Sequence, residues 1–437
     1  MGNNLACVHI NGIATNTLGG YLTWWSEFER SCRKNRHNCC SFIYFLGGSP
    51  LSGTNHCGEV KTTALIDYEY VVRSTISSVD YPVNHHLDAN DIKVINLIGK
   101  QSPVISKSVD RADGVIGAGD QGFCVGSGSN ETEVYMPLGA YLARHLCKCA
   151  DSIGHRILGP DIKSQVVVTY GEDGHAHVDS ILVSAMHQCS LEECCAIIRK
   201  YIMDNGMCIS ENLFHRHILG DSPEITINPS GECHIGGSIS DCGMTNRKIV
   251  VDQYGGYAPV GGGLSGKDMS KVDRSATYRC SYLAKNIVAV GIADTAKVEL
   301  AYMIGVPQPC AINVELNRNQ VLSEAVKTWI NDNIDLTPMG IMVRFDGSNP
   351  RYNVVTQFGH FGITNRELTL VKENNYLPMQ KRLKIVPRIW SVVISPVIED
   401  RWWIVSRMSC ATKSPEMPVR KPSMARSIDC AARVRAS

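Results

Sequence analysis

Lys248-Ile-Val-Val-Asp252, Tyr254-Gly-Gly256 and Gly261-Gly-Gly-Leu-Ser-Gly-Lys267-Asp268-Met-Ser-Lys271-Val-Asp273-Arg274, then an apolar run at helical spacing to Ala293, form the stretch that decides the reading of this chain. A β-branched run, a glycine-rich turn crowded with Lys, Asp and Arg, and a following helix present free backbone N–H groups and cations to an anion. The anion suggested is phosphate. Gly261 and Gly266-Lys267 match the G-x-x-x-x-G-K spacing of a P-loop, but Asp268 stands where a Ser or Thr hydroxyl would hold Mg²⁺. That mismatch argues against a P-loop ATPase or kinase. The same residues also suit a polyphosphate held by Lys267, Lys271 and Arg274 or Arg247, with a carboxylate such as Asp273 carrying a metal. A plain solvated connection is the alternative use of such a loop.

Upstream, a strand is expected from Glu59 to Leu65, then Asp67 as N-cap of a helix to about Val79, then a strand from Ile92 to Ile98. A helix from Leu138 to Cys149 precedes strands at Gln165 to Tyr170 and Val178 to Ala185, which read as a hairpin across Gly171 to Gly174. Ser190-Leu-Glu-Glu193 is a capping box opening a helix that ends near Gly206. Downstream, strands at Val298 to Ile304 and Ala311 to Glu315 lead to a helix capped by Ser323. Strands followed by a helix, with helices opening at Asp67, Ser190 and Ser323, imply one unit used three times. The expected fold is α+β, with three similar strand-helix subdomains about a pseudo-threefold.

The subdomains are expected at 57–116, 117–234 and 235–375. Residues 1–56 show no sustained period of 2 or 3.6, and 376–437 end in a Ser, Pro, Arg and Lys-rich tail that is expected to be disordered. Lys plus Arg total 43 against Asp plus Glu 42, so global charge points to neither a nucleic acid nor a membrane partner. No run approaches the about 18 apolar residues of a membrane span, and the N-terminus lacks a signal-peptide layout. The expectation is a soluble cytoplasmic protein. Its 18 cysteines follow no zinc-ribbon or disulfide-framework spacing, which suggests reduced, mostly buried thiols.

Further polar groups gather on glycine-rich turns. Gly117-Ala-Gly-Asp120-Gln-Gly122 places a carboxylate where backbone can approach a ligand. Pro160-Asp161-Ile-Lys163 puts alternate residues on one face at the start of a strand. Asp241-Cys-Gly-Met-Thr-Asn-Arg247-Lys248 adds a carboxylate and two cations directly before the deciding stretch. With Gly261-Gly-Gly263, Ser265 to Ser275 and Phe358-Gly-His-Phe-Gly362, these motifs occur in an order that resembles S-adenosylmethionine synthetases over roughly Gly58 to Asn375.

The resemblance implies that methionine sulfur attacks C5′ of ATP, and that the triphosphate leaves whole and is cleaved to phosphate and pyrophosphate. A thioether needs no base, so catalysis rests on positioning and on charge stabilisation. It implies Asp161, Lys163, Asp241, Arg247, Lys248 and Lys267 around ATP, and Glu59, Gln101, Asp241 and Lys271 around methionine. Asp120 would lie beside the reacting nucleoside, Asp273 on Mg²⁺, and catalysis would fall to Lys267, Lys271, Asp120 and Arg247. Mg²⁺ and K⁺ are the implied cations, and a homodimer or dimer of dimers the implied assembly. The family's Ser-Glu-Gly-His-Pro-Asp-Lys segment and its K⁺-binding Glu have no counterpart here, the glycine loop is one residue short, and Val104 replaces a common Asp. These departures leave open a second reading, a nucleotide-binding homologue that acts as a partner or regulatory subunit.

Overall fold

The computed structural model describes residues 4–11, 42–46, 54–60, 65–79, 81, 88–104, 109, 114–154, 157–171, 176–204, 223–237, 240, 243, 245–317, 319–345, 355 and 358–362. All lie in the compact unit Met1–Lys384; a second unit, Ile385–Ser437, lies outside the described residues, as does the expected basic tail.

Among the described residues, three sheets carry the fold. The first has the order β1 (Asn4–Asn11), β6 (Leu158–Tyr170), β7 (Ala176–His187), β8 (Glu224–Ile227), with β7 and β8 parallel and the other pairs antiparallel. The second pairs β2 (Phe42–Leu46) antiparallel with β3 (Thr54–Val60), and β3 parallel with β4 (Val94–Lys100). The third places β9 (Thr295–Tyr302) between β5 (Gly122–Ser129) and β10 (Ala311–Leu316), all antiparallel. Each sheet has helical cover. Helix α1 (Tyr68–Ser78) packs on β4, α2 (Leu138–Ser152) on β6 and β1, and α3 (Leu191–Asp204) on β8. The one-turn α4 (Ile249–Asp252) precedes α5 (Val272–Ala289), which packs on β5 and β9; α6 (Gln320–Asn333) covers β10 and α7 (Pro338–Arg344) meets α5. The described residues form an α+β architecture of three sheets, each contacted by helices.

Local chemistry accounts for most of these elements. Along β9 the alternate residues Ala296, Val298, Leu300 and Tyr302 are buried, the period-2 pattern of a strand with one face on the core. Each fully buried Val or Leu contributes roughly 1.5–3 kcal/mol. Asp67 caps α1 by accepting from Tyr70 N at 3.0 Å, and Ser190 Oγ accepts from Glu193 N at 3.2 Å, as their sequence signatures lead one to expect.

Several expectations need correction. The strand placed at Glu59 to Leu65 runs Thr54–Val60, and Leu65 is exposed coil. The apparently patternless N-terminal segment contributes β1 and β2. The last strand-linked helix is capped by Asn319, whose side chain accepts from Leu322 N at 3.1 Å; Ser323 lies inside the helix and donates to Asn319 O at 2.7 Å. The β-branched run before the glycine loop is the helical turn α4, so the strand-loop-helix order of a P-loop is not formed.

Strand β5 carries no clear signal in the sequence, because Gly-Phe-Cys-Val-Gly-Ser-Gly-Ser is weak in strand formers. Its glycines serve close packing: a Cβ on Gly126 would overlap the backbone of Cys280 and Ser281, and one on Gly128 would meet Ala284 at 2.9 Å. Helix α5 therefore lies directly on the strand. Of the described cysteines, Cys124, Cys147, Cys189, Cys194, Cys195, Cys233, Cys280 and Cys310 are free, whereas Cys149 is in a disulfide, contrary to the expectation of reduced thiols throughout. Among the described residues no helix is long and apolar enough to cross a membrane.

Candidate active site

The packing of α5 on β5 brings two glycine loops together at the N-terminus of the helix. Lys271, immediately before α5, donates from Nζ to Gly119 O at 3.4 Å, and a Cβ on Gly119 would meet Lys271 Cδ at 2.8 Å. The loop Gly117 to Gly122, with half-exposed Asp120, is thereby closed onto Lys271. Asp273, in the first turn of α5, rests against both loops: a Cβ on Gly122 would lie 3.1 Å from its Oδ1, and one on Gly262 only 2.5 Å from its Cγ. Its Oδ2 accepts from Lys267 Nζ at 2.5 Å. Lys267, Lys271, Asp273 and the Asp120 loop thus form one group.

Arg247 and Lys248 are exposed on a turn docked against the same glycine loop. Asn246, at φ 60°, donates to Ser265 O at 3.0 Å, and Gly263 leaves the space its side chain fills. Asp268 does not replace a P-loop hydroxyl. Its Oδ1 accepts from Ser270 N at 2.6 Å, closing the turn, and burial pushes its carboxyl up to about 6 against the opposing pull of Ser270 and Lys271. Burial, followed by the nearby Asp273 charge, pushes the Cys124 thiol up to about 12, so it is inert at neutral pH.

Asp161 and Lys163 form a second group on β6, both half-buried on one face while Ile162 and Ser164 point into the core. Asp161 Oδ2 accepts from Gly237 N at 2.8 Å, and a Cβ on Gly236 would meet the same carboxylate at 2.9 Å. His187 anchors that segment: its Nδ1 donates to Cys189 O at 2.8 Å, which leaves Nε2 to accept from Cys233 N at 3.1 Å. Asp241 lies outside the described residues. Glu59 and Gln101 form a third group at the ends of the parallel strands β3 and β4, where Gln101 N donates to Val60 O at 3.1 Å. The described contacts that gather Lys267, Lys271 and Asp273 do not include them.

Arg274 departs from its expected place among the phosphate-binding cations. It is 1% exposed, donating from Nη1 to Lys267 O at 2.6 Å and from Nε to Tyr278 OH at 3.2 Å. It holds the turn that carries Lys267. The structure also brings in residues the sequence reading left without a role. Ser265, Tyr278 and His360 are hydrogen-bonded in a buried row, and Arg144 donates to Phe361 O at 2.5 Å. The only sequence signal for them is the Phe358 to Gly362 motif and the one-turn spacing of Arg274 and Tyr278.

Comparison with known proteins identifies the family. Residues 115–233 match the family described as S-adenosylmethionine synthetase, central domain, and residues 235–371 match S-adenosylmethionine synthetase, C-terminal domain. The S-adenosylmethionine synthase of Lacticaseibacillus casei strain BL23 is 40% identical over 330 residues, 71% of this chain and 82% of the relative. That of Brachyspira hyodysenteriae is 38% identical over 333 residues, 72% and 83% of the two chains. A solved structure described as an unusual S-adenosylmethionine synthetase from Campylobacter jejuni superposes with a TM-score of 0.74 at 28% identity, covering 86% of this chain and 99% of its own.

Proposed function

Because the chain belongs to the S-adenosylmethionine synthetase family, it is a methionine adenosyltransferase with ATP and methionine as substrates, and we propose that Lys267, Lys271 and Asp273 form its triphosphate-binding centre. The observation that carries this reading is the Lys267–Asp273 pair, held against two glycine loops with its atoms almost out of solvent. The substrate sulfur is a nucleophile without deprotonation, so the protein's task is in-line placement and stabilisation of the leaving triphosphate. Lys267 is preorganised for that task. Arg247 and Lys248, exposed on the adjoining turn, extend the positive surface, each charge-assisted contact contributing about 1.5–3 kcal/mol.

Asp161, Lys163 and Asp241 complete the ATP set, and Asp120, beside Lys271, offsets the charge that develops on sulfur. Glu59, Gln101, Asp241 and Lys271 receive methionine, and phosphate and pyrophosphate are the by-products. Members of this family use metal ions. Asp273 is a hard oxygen donor beside a phosphate-binding cation, and Mg²⁺ is usually held by one or two carboxylates plus substrate phosphates. Among the described residues no three His, Cys, Asp or Glu side chains gather into a metal cage, and that arrangement needs none. When bound, Mg²⁺ would neutralise triphosphate charge. K⁺ is the second cation that the family resemblance implies.

The proposed assembly, which the family resemblance implies, is a homodimer or dimer of dimers whose site draws on two copies. Of the proposed subdomain limits 57–116, 117–234 and 235–375, the family matches at 115–233 and 235–371 support the one near residue 234, while β1 and β5 each pair with a strand from beyond their own segment. We place the chain in the cytoplasm, where ATP and methionine are available. The test is S-adenosylmethionine formation by the wild type and by Lys267→Ala. Loss of about 10²- to 10³-fold in kcat is expected from removing a leaving-group donor; undiminished turnover would refute the assignment.

A further inference from the structure

We propose that His360 is a positioning residue for the triphosphate-binding turn: its imidazole, fixed by Tyr278, donates to Ser265 and so sets the backbone that carries Lys267. The inference rests on the reading that Lys267 holds the triphosphate.

His360 is 1% exposed and lies between two hydroxyls, its Nδ1 2.7 Å from Tyr278 OH and its Nε2 3.1 Å from Ser265 Oγ. Arg274 settles the direction of the row. Its Nε–H can only donate, and it donates into the Tyr278 oxygen, so the tyrosine hydrogen is directed to His360 Nδ1. That leaves Nε2–H to donate to Ser265 Oγ. The row runs Arg274 to Tyr278 to His360 to Ser265, and every step needs a neutral imidazole with its hydrogen on Nε2. Burial and the charges of Arg274 and Arg144 disfavour the imidazolium, in agreement with this tautomer.

The two ends of the row grip one turn. Ser265 is bound through its side chain by His360 and through its carbonyl by Asn246, while Arg274 Nη1 donates to the carbonyl of Lys267. His360 is itself anchored, its N–H donating to Asp252 O at 2.8 Å, and Arg144 donates to its neighbour Phe361. A motif 95 residues away in sequence from Ser265 therefore reaches the phosphate turn through one ring.

The test compares His360→Asn, His360→Gln and Ser265→Ala in the full chain. Gln can place an amide N–H where Nε2 stood; Asn cannot reach Ser265. His360→Asn is expected to lower kcat about tenfold or more, His360→Gln to recover to within about threefold of wild type, and the KM for methionine to stay within about twofold in both. Ser265→Ala should show the same kcat loss, and the Ser265→Ala, His360→Asn double variant should be no worse than either single one. Wild-type kcat in Ser265→Ala, equal damage by Asn and Gln, or additive losses would each overturn the proposal. Ser265→Ala alone decides the matter where a His360 variant does not fold. Full activity in Lys267→Ala defeats the triphosphate assignment itself; an inactive Lys267→Ala with additive Ser265 and His360 losses defeats only the role of His360.

Discussion

Lys267 Nζ lies 2.5 Å from Asp273 Oδ2, with the two side chains 7% and 14% exposed. One residue sits on a glycine loop and the other in the first turn of α5, so the pair fastens the loop to the helix. It also keeps a cation and a carboxylate poised where a polyphosphate and its metal would arrive. Several outcomes can be checked.

Removing one partner should cost more than removing both. Lys267→Met leaves the Asp273 carboxylate nearly buried and unpaired, a loss of about 3 kcal/mol in unfolding free energy. Adding Asp273→Asn should recover part of it, with a coupling above roughly 0.5 kcal/mol in a denaturation double-mutant cycle. Additive losses would show that the pair contributes nothing to the fold.

Gly262→Ala tests the fit of the loop on Asp273. The new Cβ would lie 2.5 Å from the carboxylate carbon, so the carboxylate must move. A kcat loss of about 10²-fold is expected, the size associated with small misplacements in an active site. Activity equal to wild type would mean that Asp273 is not held where the chemistry needs it.

Gln101→Ala separates the two substrates. Gln101 and Glu59 share the β3–β4 edge and are proposed to receive methionine, so the KM for methionine should rise about tenfold, as for a lost charge-assisted hydrogen bond, with little change for ATP. Equal effects on both substrates would remove Gln101 from the methionine set.

The pH dependence has a definite sign at His145. Burial, reinforced by the Lys148 charge, pushes its pKa down to about 4 from an ordinary 6.5. The unfolded chain therefore binds more protons between those values, and this group's contribution to stability is lost as pH falls from about 6.5 toward 4. Measured by melting temperature, the wild type should lose ground to His145→Gln across that window and hold steady above it. A constant difference from pH 7 to pH 4 would contradict the assignment.

The grouping of Lys267, Lys271 and Asp273 is more legible in the sequence than the scaffold under it, because the three stand in one short motif within which α5 begins. The Asp120 loop joins them only because Gly126 and Gly128 let α5 touch β5, and glycine in a strand carries no periodic signal. The sequence leaves Arg274 and Arg247 as alternative phosphate cations, since a charge on a helix near a glycine loop looks available until the packing of Tyr278 and Lys267 O around Arg274 is known. Asn319 and Ser323 are both good caps, and which of them begins α6 was decided by the strand end at Leu316. His360 offered only its motif, because its partners Ser265 and Tyr278 are 95 and 82 residues away.

The most direct test of the central claim is product analysis of the purified chain with ATP, L-methionine, Mg²⁺ and K⁺, following S-adenosylmethionine together with phosphate and pyrophosphate. All three are predicted to appear together, and Lys267→Ala to slow their formation about 10²- to 10³-fold. No S-adenosylmethionine from a folded wild-type chain that still binds ATP would contradict it, and would leave a nucleotide-binding partner subunit as the reading to pursue.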